Sequence, residues 1–254
     1  MATFESGGLT LAYDDIAGPG QGRPMILIHG FTSNRNENWR RLGWYGALER
    51  KRIRTLALDA RGHGESAKPH DPAAYGREAM AGDILALMDH AGVERAHLMG
   101  YSMGARLALA AALRAPERFA TLTVGGIGEK LFEPRAFAGN PMAEAMEAAD
   151  PESIPEPMLK SFRQFADAQG EDRLALAALT RAADVPFTKD ELAKLAVPVL
   201  VVAGARDELA GDPEPLARVF PDGRAVVLPG VDHFSAIAHA LYKAAVFDFL
   251  DGGI

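Results

Sequence analysis

The feature that most constrains this chain is a serine held between two glycines inside a hydrophobic stretch. The apolar run 96–99 is followed at once by Gly100-Tyr101-Ser102-Met103-Gly104, and a run rich in alanine and leucine comes next. This order predicts a buried strand, a very tight turn and a helix that begins at the serine. Glycine is needed on both sides because a Cβ there would collide with the neighbouring strand or helix.

Such a turn would raise the serine hydroxyl at the C-terminal edge of a sheet. The start of the following helix would add free N–H groups that suit a developing oxyanion. The pattern also permits a simpler interpretation, in which serine and glycines form a turn between two core elements. The rest of the chain has to decide between the two.

Composition and charge exclude several classes of function. The chain has 254 residues, enough for one large α/β domain with an inserted subdomain. A formal net charge of −7 predicts no nucleic-acid partner. The absence of cysteine excludes disulfides, thiolate metal sites and a cysteine nucleophile. The first residues lack the features of a signal peptide, and no apolar run is long enough for a membrane span, so we expect a cytoplasmic protein without a membrane partner.

Short apolar runs alternate with helical patterns along most of the chain. The predicted strands cover residues 10–13, 24–28, 53–58, 96–99, 120–124, 197–202 and 224–228. Helices are predicted over 75–91, after the serine turn, and over 241–250. The alternation predicts an α/β fold with a mainly parallel central sheet, right-handed crossovers and flanking helices.

The strand pattern disappears between residues 128 and 190. This segment is rich in alanine, methionine, proline and phenylalanine, with helical periodicity around 142–149, 158–168 and 173–182. Prolines at three places break it into short pieces. We therefore expect a small helical cap over 128–190, inserted into a core formed by 1–127 and 191–254.

Polar residues follow directly after several predicted strands. They are His29-Gly30, Ser102, Asp207 and His233. Ligands of parallel sheets gather at the carboxyl ends of the strands, so these residues should meet at one edge. The glycine at 30 would also let the chain turn and aim the N–H of Phe31 towards the serine. The loop 59–66 lacks the remaining glycine and the lysine of nucleotide-binding motifs, which favours a structural, charged turn.

With these residues in place, the chain resembles an α/β-hydrolase over nearly its whole length. The matching pieces are HGF at 29–31, DARGHGES at 59–66, GYSMG at 100–104, GARD at 204–207 and DHF at 232–234. Serine, acid and histidine occur in the chain order that this superfamily uses. The resemblance is to the serine esterase and enol-lactonase subgroup, because the cap is short and the protein small.

The resemblance implies a role for each of these residues. Ser102 would be the nucleophile, His233 the general base and then acid, and Asp207 the partner that orients the histidine. The backbone N–H groups of Phe31 and Met103 would form the oxyanion hole. We also expect substrate contacts from four neighbouring residues, namely His29, Gly30, Tyr101 and Phe234.

Two other aspartates, Asp212 and Asp232, are rivals of Asp207 for the role of the acid. Asp232 adjoins His233, and neighbouring side chains on extended backbone point apart. Asp212 precedes Pro213, where capping of a helix is the simpler role. Asp207 lies just after a strand end, at the edge where Ser102 and His233 should meet, and is therefore favoured.

The predicted function is hydrolysis of carboxylic esters of small acyl substrates, or of a lactone, without metal or cofactor. Serine at the turn argues against haloalkane dehalogenases and many epoxide hydrolases, which carry aspartate there. The main alternative enzyme is a carbon–carbon bond hydrolase of the meta-cleavage type, which shares the Gly-x-Ser-Met-Gly pattern. The alternative outside enzymes is a hydrolase-fold ligand receptor, which steady turnover would exclude. The sequence indicates a small-molecule partner and leaves the oligomeric state open.

Overall fold

A mainly parallel sheet forms the centre of the protein. The computed structural model describes residues 2–18, 20, 22–133, 140–183 and 185–253. Within these residues the sheet has eight strands: β1 (Ala2–Ser6), β2 (Leu9–Ile16), β3 (Met25–Ile28), β4 (Thr55–Leu58), β5 (Ala96–Tyr101), β6 (Phe119–Gly125), β7 (Val199–Gly204) and β8 (Gly223–Leu228).

The strand order is β1-β2-β4-β3-β5-β6-β7-β8. The pairs β1–β2 and β2–β4 are antiparallel, and all pairs from β4 to β8 are parallel. The predicted mainly parallel α/β architecture is thus confirmed. The sequence analysis missed β1, because its alternating exposed and buried residues make a weak signal at the sheet edge.

Helices cover both faces of the sheet. They are α1 (Trp44–Arg50), α2 (Arg77–His90), α3 (Met103–Arg114), α4 (Asn140–Glu147), α5 (Pro157–Gln169), α6 (Arg173–Arg181), α7 (Lys189–Leu192), α8 (Pro213–Ala217) and α9 (Ala240–Leu250). A short π-helix, Asn36–Arg40, precedes α1. Alternate residues of a strand enter different cores, as in β3, where Ile26 and Ile28 pack with α2 and α3 while Met25 and Leu27 pack with α1 and α9. Burial on both faces explains why the central strands are continuously apolar.

Between β6 and β7, the described residues form helices joined by loops, with no strand among them. Helices α4, α5 and α6 share a small apolar core that includes Met142, Met146 and Leu176. Phe31, from the loop after β3, packs against this core. We call the segment from α4 to α6 the cap. The predicted cap boundaries at 128 and 190 remain a prediction, and its residues 134–139 and 184 lie outside the described part of the chain.

The turn between β5 and α3 leaves no space for side chains at its two glycines. A Cβ on Gly100 would overlap with the backbone carbonyl of Gly104, the second residue of α3. A Cβ on Gly104 would overlap with the carbonyl oxygens of Ile28 and His29 at the end of β3. The glycines therefore allow the helix to start directly against two neighbouring strands, as the sequence predicted.

We expect Gly104→Ala to destabilise the fold by about 3 kcal/mol, since its Cβ would meet backbone atoms that cannot rotate away. The matched control is Gly46→Ala in α1, where the Cβ would be 3.5 Å from the end of the Arg50 side chain. This control should be neutral or stabilising by up to about 1 kcal/mol, because alanine favours a helix. Urea unfolding of both variants measures the difference. A Gly104→Ala variant as stable as the control would contradict the packing argument.

Candidate active site

Ser102 lies at the sharp turn between β5 and α3. Its backbone dihedral angles are φ 55° and ψ −110°, a region that residues with a side chain rarely occupy. The Ser102 N–H donates to the carbonyl of Gly125 at the end of β6, with a distance of 2.8 Å. The strained conformation is therefore fixed by the sheet on one side and by the start of α3 on the other.

The hydroxyl of Ser102 is connected to a buried carboxylate through His233. The distance between Ser102 Oγ and His233 Nε2 is 2.9 Å. On the other side of the ring, His233 Nδ1 lies 2.9 Å and 3.0 Å from the two carboxylate oxygens of Asp207. The three residues follow β5, β8 and β7, so the topology of the sheet brings together residues that are up to 131 positions apart.

The carboxylate of Asp207 is held in place by its own loop. Its side chain is fully buried. Oδ1 accepts hydrogen bonds from the N–H groups of Leu209 and Ala210, at 3.0 and 2.9 Å. These bonds orient the carboxylate towards the His233 ring and compensate the cost of burying its charge.

The two rival aspartates have other partners. Asp212 caps α8 by accepting from the N–H of Glu214 at 2.9 Å, which is the capping role that the sequence suggested. Asp232 accepts from the N–H and the hydroxyl of Ser235, within its own turn. Asp207 is thus the aspartate that contacts His233 in this structure.

Tyr101 contacts the backbone of His233. Its hydroxyl donates to the backbone carbonyl of His233. Burial raises the pKa of the Tyr101 phenol well above its ordinary value, which keeps the O–H available as a donor. Gly126, with a φ of 66°, lies against both rings, and a Cβ there would be 3.1 Å from His233 Cε1. The expected substrate contact of Tyr101 is therefore corrected: its side chain is buried and positions His233.

The loop after β3 lies beside Ser102 and the start of α3. A Cβ on Gly30 would lie 3.6 Å from the Cβ of Ser102, so this loop adjoins the serine directly. The N–H of Gly30 donates to Asn38 Oδ1 at 2.7 Å. Among the described residues, the N–H groups of Phe31 and Met103 have no acceptor within the protein. Both residues line the cavity at Ser102, where a substrate oxygen could accept from them.

His29 has a structural role instead of the expected contact with substrate. Its side chain is fully buried, with Nδ1 2.8 Å from the Gly30 carbonyl and Nε2 3.0 Å from the Ala60 N–H. This arrangement requires a neutral ring that donates from Nδ1 and accepts at Nε2. Burial lowers the pKa of His29, in agreement with the neutral form. The sequence suggested a substrate contact because His29 directly follows a predicted strand, although a histidine hydrogen-bonded within a structural turn was the alternative.

The charged loop 59–66 forms a structural turn, as the sequence analysis favoured. The carboxylate of Asp59 accepts from the N–H groups of Arg35 and Glu65, both at 2.8 Å, and pairs with the Arg35 guanidinium. Arg61 pairs in the same way with the buried carboxylate of Asp83, at 2.6 and 2.8 Å. These contacts hold the loops around β4 in one arrangement beside the loop that carries Phe31.

A cavity of about 800 Å³ lies over Ser102, between the sheet edge and the cap. Its core wall includes Phe31, Ser102, Met103, Ile127 and His233, and its cap wall includes Met142, Met158, Phe162, Leu179 and Thr180. The charged side chains that line it are Arg106, Lys130, Glu133, Glu156 and Glu208. A cavity of this size and mixed polarity fits a small organic molecule.

Two aromatic residues frame the boundary between the cap and the core. Phe162, on α5, lies 6.0 Å from the Phe31 ring and 5.6 Å from the Phe234 ring, measured between ring centres. Phe234 is 46% exposed and contacts the His233 ring. The expectation that Phe234 contacts substrate remains a prediction, and the sequence analysis did not single out Phe162, since a phenylalanine in an amphipathic helix normally belongs to the core.

Two further properties concern cofactors and membranes. Within the described ranges, no group of three or more histidine or carboxylate side chains is arranged to hold a metal ion. In the same part of the chain, every helix is too short or too polar to cross a bilayer.

Comparison with known proteins places this arrangement in a family. Residues 23–180 match the family model of the alpha/beta hydrolase fold. The dihydrolipoyllysine-residue acetyltransferase component of the acetoin cleaving system from Pseudomonas putida is 33% identical over 242 residues, which are 90% of this chain and 63% of that protein. The 3-oxoadipate enol-lactonase 2 of Acinetobacter baylyi is 28% identical over 167 residues, which are 60% of this chain and 61% of the relative.

The chain thus spans less than two thirds of the length of these two relatives. Among solved structures, the enol-lactonase of Burkholderia xenovorans LB400 superposes with a TM-score of 0.82, covering 98% of this chain and 100% of its own. At 24% identity this likeness shows a common fold. The match of the family model, the strand order and the relatives agree: the chain belongs to the alpha/beta hydrolase fold family.

Proposed function

We propose that this protein is a serine hydrolase that cleaves carboxylic esters of small acyl substrates, or a lactone, through an acyl-enzyme intermediate. The observation that carries the proposal is the continuous contact from Asp207 through His233 to Ser102, with distances of 2.9 Å at each step. A serine hydroxyl is a weak nucleophile and needs such a base within hydrogen-bond distance.

Acylation of the serine uses the groups at the bottom of the cavity. His233 Nε2 takes the hydroxyl proton while Ser102 Oγ forms a bond to the substrate carbonyl carbon. The carbonyl oxygen becomes an oxyanion and accepts from the N–H groups of Phe31 and Met103. As the tetrahedral intermediate collapses, the bond to the alcohol oxygen breaks. The protonated His233 then gives its proton to that oxygen.

Hydrolysis of the acyl-enzyme repeats these steps with water. His233 Nε2 takes a proton from a water molecule whose oxygen attacks the acyl carbon. The same two N–H groups stabilise the second oxyanion, and the bond between the acyl carbon and Ser102 Oγ breaks. His233 returns the proton to Oγ, which regenerates the free enzyme and releases the carboxylic acid.

Asp207 acts on the histidine and makes no contact with the substrate. Its carboxylate accepts from Nδ1–H, which leaves Nε2 as the nitrogen that faces Ser102. It also stabilises the imidazolium that forms when the serine loses its proton. Because Asp207 is itself fixed by two backbone N–H groups, the ring keeps one orientation during turnover.

The cavity and the relatives support small acyl substrates. A volume of about 800 Å³ suits a compact ester or lactone, and Met142, Met158 and Phe162 supply apolar surface on the cap side. The name of the Acinetobacter relative states that it acts on an enol-lactone, which supports the lactone arm of the proposal. The carbon–carbon hydrolase and the ligand receptor remain hypotheses that the assays below discriminate.

We expect short-chain p-nitrophenyl esters and small lactones to be hydrolysed at an unchanged rate after exhaustive chelation. Ser102→Ala should lower kcat by about 10³- to 10⁶-fold, because nucleophile and base act as a unit. Steady-state kinetics, run beside a vinylogous diketone as a carbon–carbon substrate, measure both. Turnover of the diketone alone would contradict the ester and lactone assignment, and turnover that survives Ser102→Ala would contradict the nucleophile.

We expect Asp207→Asn to fold normally and to lose about 10⁴-fold in kcat, because the histidine tautomer is no longer enforced. Asp212→Asn is the matched control, since asparagine keeps the helix cap. It should retain most activity and lose at most about 1 kcal/mol of stability. Kinetics and thermal unfolding of the two purified variants test this. An active Asp207→Asn beside an inactive Asp212→Asn would move the acid to position 212.

We expect Phe31→Pro to lower kcat by about 10²- to 10³-fold, because proline lacks the N–H that faces the cavity. Phe31→Ala keeps the N–H and removes the ring that packs against the cap. It should change substrate preference more than it lowers the maximal rate. Both variants are compared as folded protein, judged by circular dichroism. Equal losses of kcat would show that the side chain of Phe31 matters and its amide does not.

A further inference from the structure

A carboxylate on the cap reaches into the core beside the loop that carries Phe31. Glu171 follows Gly170, which ends α5 in the left-handed conformation with a φ of 68°. Its side chain is buried at 7% exposure. One carboxylate oxygen accepts from Asn34 Nδ2 at 2.9 Å, and the other accepts from the N–H of Gly64 at 2.8 Å. A single cap residue thus contacts two loops of the core.

The contact with Asn34 continues to the residue before Phe31. Asn34 Oδ1 accepts from the N–H groups of Asn36 and Glu37, at 3.1 and 3.0 Å, and so fixes the start of the π-helix. Asn38, in this helix, accepts from the N–H of Gly30 at 2.7 Å. The Asn38 N–H also donates to the Asn34 carbonyl at 3.0 Å, so hydrogen bonds from Glu171 to Asn34, from Asn38 to Asn34 and from Gly30 to Asn38 link Glu171 to the peptide next to the Phe31 N–H.

The loop from 30 to 34 needs support of this kind. Thr32 has a φ of 60°, a conformation that a β-branched residue adopts only where its surroundings enforce it. The N–H of Ser33 bonds back to the carbonyl of Gly30 at 3.3 Å, a long bond for a tight turn. The side chain of Phe31 rests on the cap, near Phe162. The cap thus holds both ends of the short segment from Phe31 to Asn34.

The next residue along the chain provides a comparison. Asp172 also links the cap to the core, through His70 Nε2 at 3.0 Å, and it caps α6 by accepting from Leu174 and Ala175. Its core partner His70 belongs to the loop before α2, and among the described residues the His70 side chain makes no other hydrogen bond. A comparison of Glu171 with Asp172 can therefore distinguish general attachment of the cap to the core from support of the loop that carries Phe31.

We propose that Glu171 is a positioning residue that makes the oxyanion donor at Phe31 depend on the seating of the cap. The inference rests on the proposed function, in that it assigns the Phe31 N–H to the oxyanion. With the cap seated, Glu171 fixes Asn34 and the loop holds the N–H towards Ser102. Without this contact, the loop relaxes from its strained conformation and the donor is misplaced. Binding of a substrate under the cap and readiness for catalysis are thereby coupled.

The first test is Glu171→Gln, which keeps the size of the side chain. Glutamine has one acceptor oxygen and one NH2 group, so it cannot accept from both Asn34 Nδ2 and the Gly64 N–H. We expect kcat for a p-nitrophenyl ester to fall by about 10-fold while KM changes by less than about 3-fold, since a misplaced donor weakens the transition state more than binding. Assays at pH 8 keep the carboxylate of the parent protein ionised, because burial raises the pKa of Glu171.

The decisive variant is the double exchange Glu171→Gln with Asn34→Asp. In this pair the glutamine oxygen can accept from the Gly64 N–H, and its NH2 group can donate to the new aspartate. The other aspartate oxygen can still accept from the N–H groups of Asn36 and Glu37. We expect the double variant to recover kcat to within about 3-fold of the parent, while Asn34→Asp alone loses activity because two carboxylates face each other.

Asp172→Asn is the matched control. Asparagine keeps the cap of α6 and weakens only the contact with His70, so kcat should stay within about 2-fold of the parent. The proposal is overturned if Glu171→Gln leaves kcat unchanged, if Asp172→Asn lowers it equally, or if the folded double variant does not recover.

Amide hydrogen exchange of the peptide 29–38 gives a second readout that requires no turnover. We expect faster exchange in Glu171→Gln, parent-like exchange in the double variant and no change in Asp172→Asn. If the parent protein hydrolyses no ester or lactone, the proposed function fails, while this exchange pattern still tests the support of the loop by Glu171. Exchange that is equal in all four proteins would refute that support.

Discussion

The structure depends on the contact between the start of α3 and the end of β3. The helix can begin against the β3 carbonyls only because Gly104 has no side chain, and Gly100 gives the same freedom towards β5. The residue between these close contacts is Ser102, which adopts a φ of 55° that the surrounding backbone enforces. Burial in the two hydrophobic cores, one on each face of the sheet, offsets the free-energy cost of this backbone conformation. As a result, the Ser102 hydroxyl lies at the edge of the sheet, next to the N–H groups at the start of α3.

The parallel sheet then supplies the partners of the serine. Strands β5, β7 and β8 are parallel and end at the same edge of the sheet. The loops that directly follow β7 and β8 therefore bring Asp207 and His233 to the serine. Each partner is oriented from behind. Asp207 accepts hydrogen bonds from two backbone N–H groups. The Tyr101 hydroxyl donates to the His233 carbonyl, and the lack of a side chain at Gly126 leaves room for the His233 ring. Preorganisation of this kind allows a site to act with little rearrangement during the reaction.

The cap has a larger part in this arrangement than a cover would have. It forms one wall of the cavity, and it contacts the loop that carries Phe31 through the Phe162 ring and through the Glu171 carboxylate. The buried charges of Arg35 and Asp59 pair beneath the neighbouring loops, so the segment around Phe31 lies between these core contacts and the helices of the cap. A change in the position of the cap would therefore be transmitted first to this segment.

The sequence by itself predicted every strand of the sheet except β1, most of the helices and the residues at the strand ends, because glycine spacing and hydrophobic periodicity act over a few neighbouring residues. It favoured Asp207 over Asp212 for the same reason, since a strand end and a helix cap have local signatures. Only the tertiary structure decided that His29 and Tyr101 turn away from the cavity, and that Glu171 reaches Asn34 from 137 positions along the chain. Those outcomes depend on which polar groups become buried together. Burial brings together polar residues that are distant in sequence, and a local sequence pattern gives no information about those contacts.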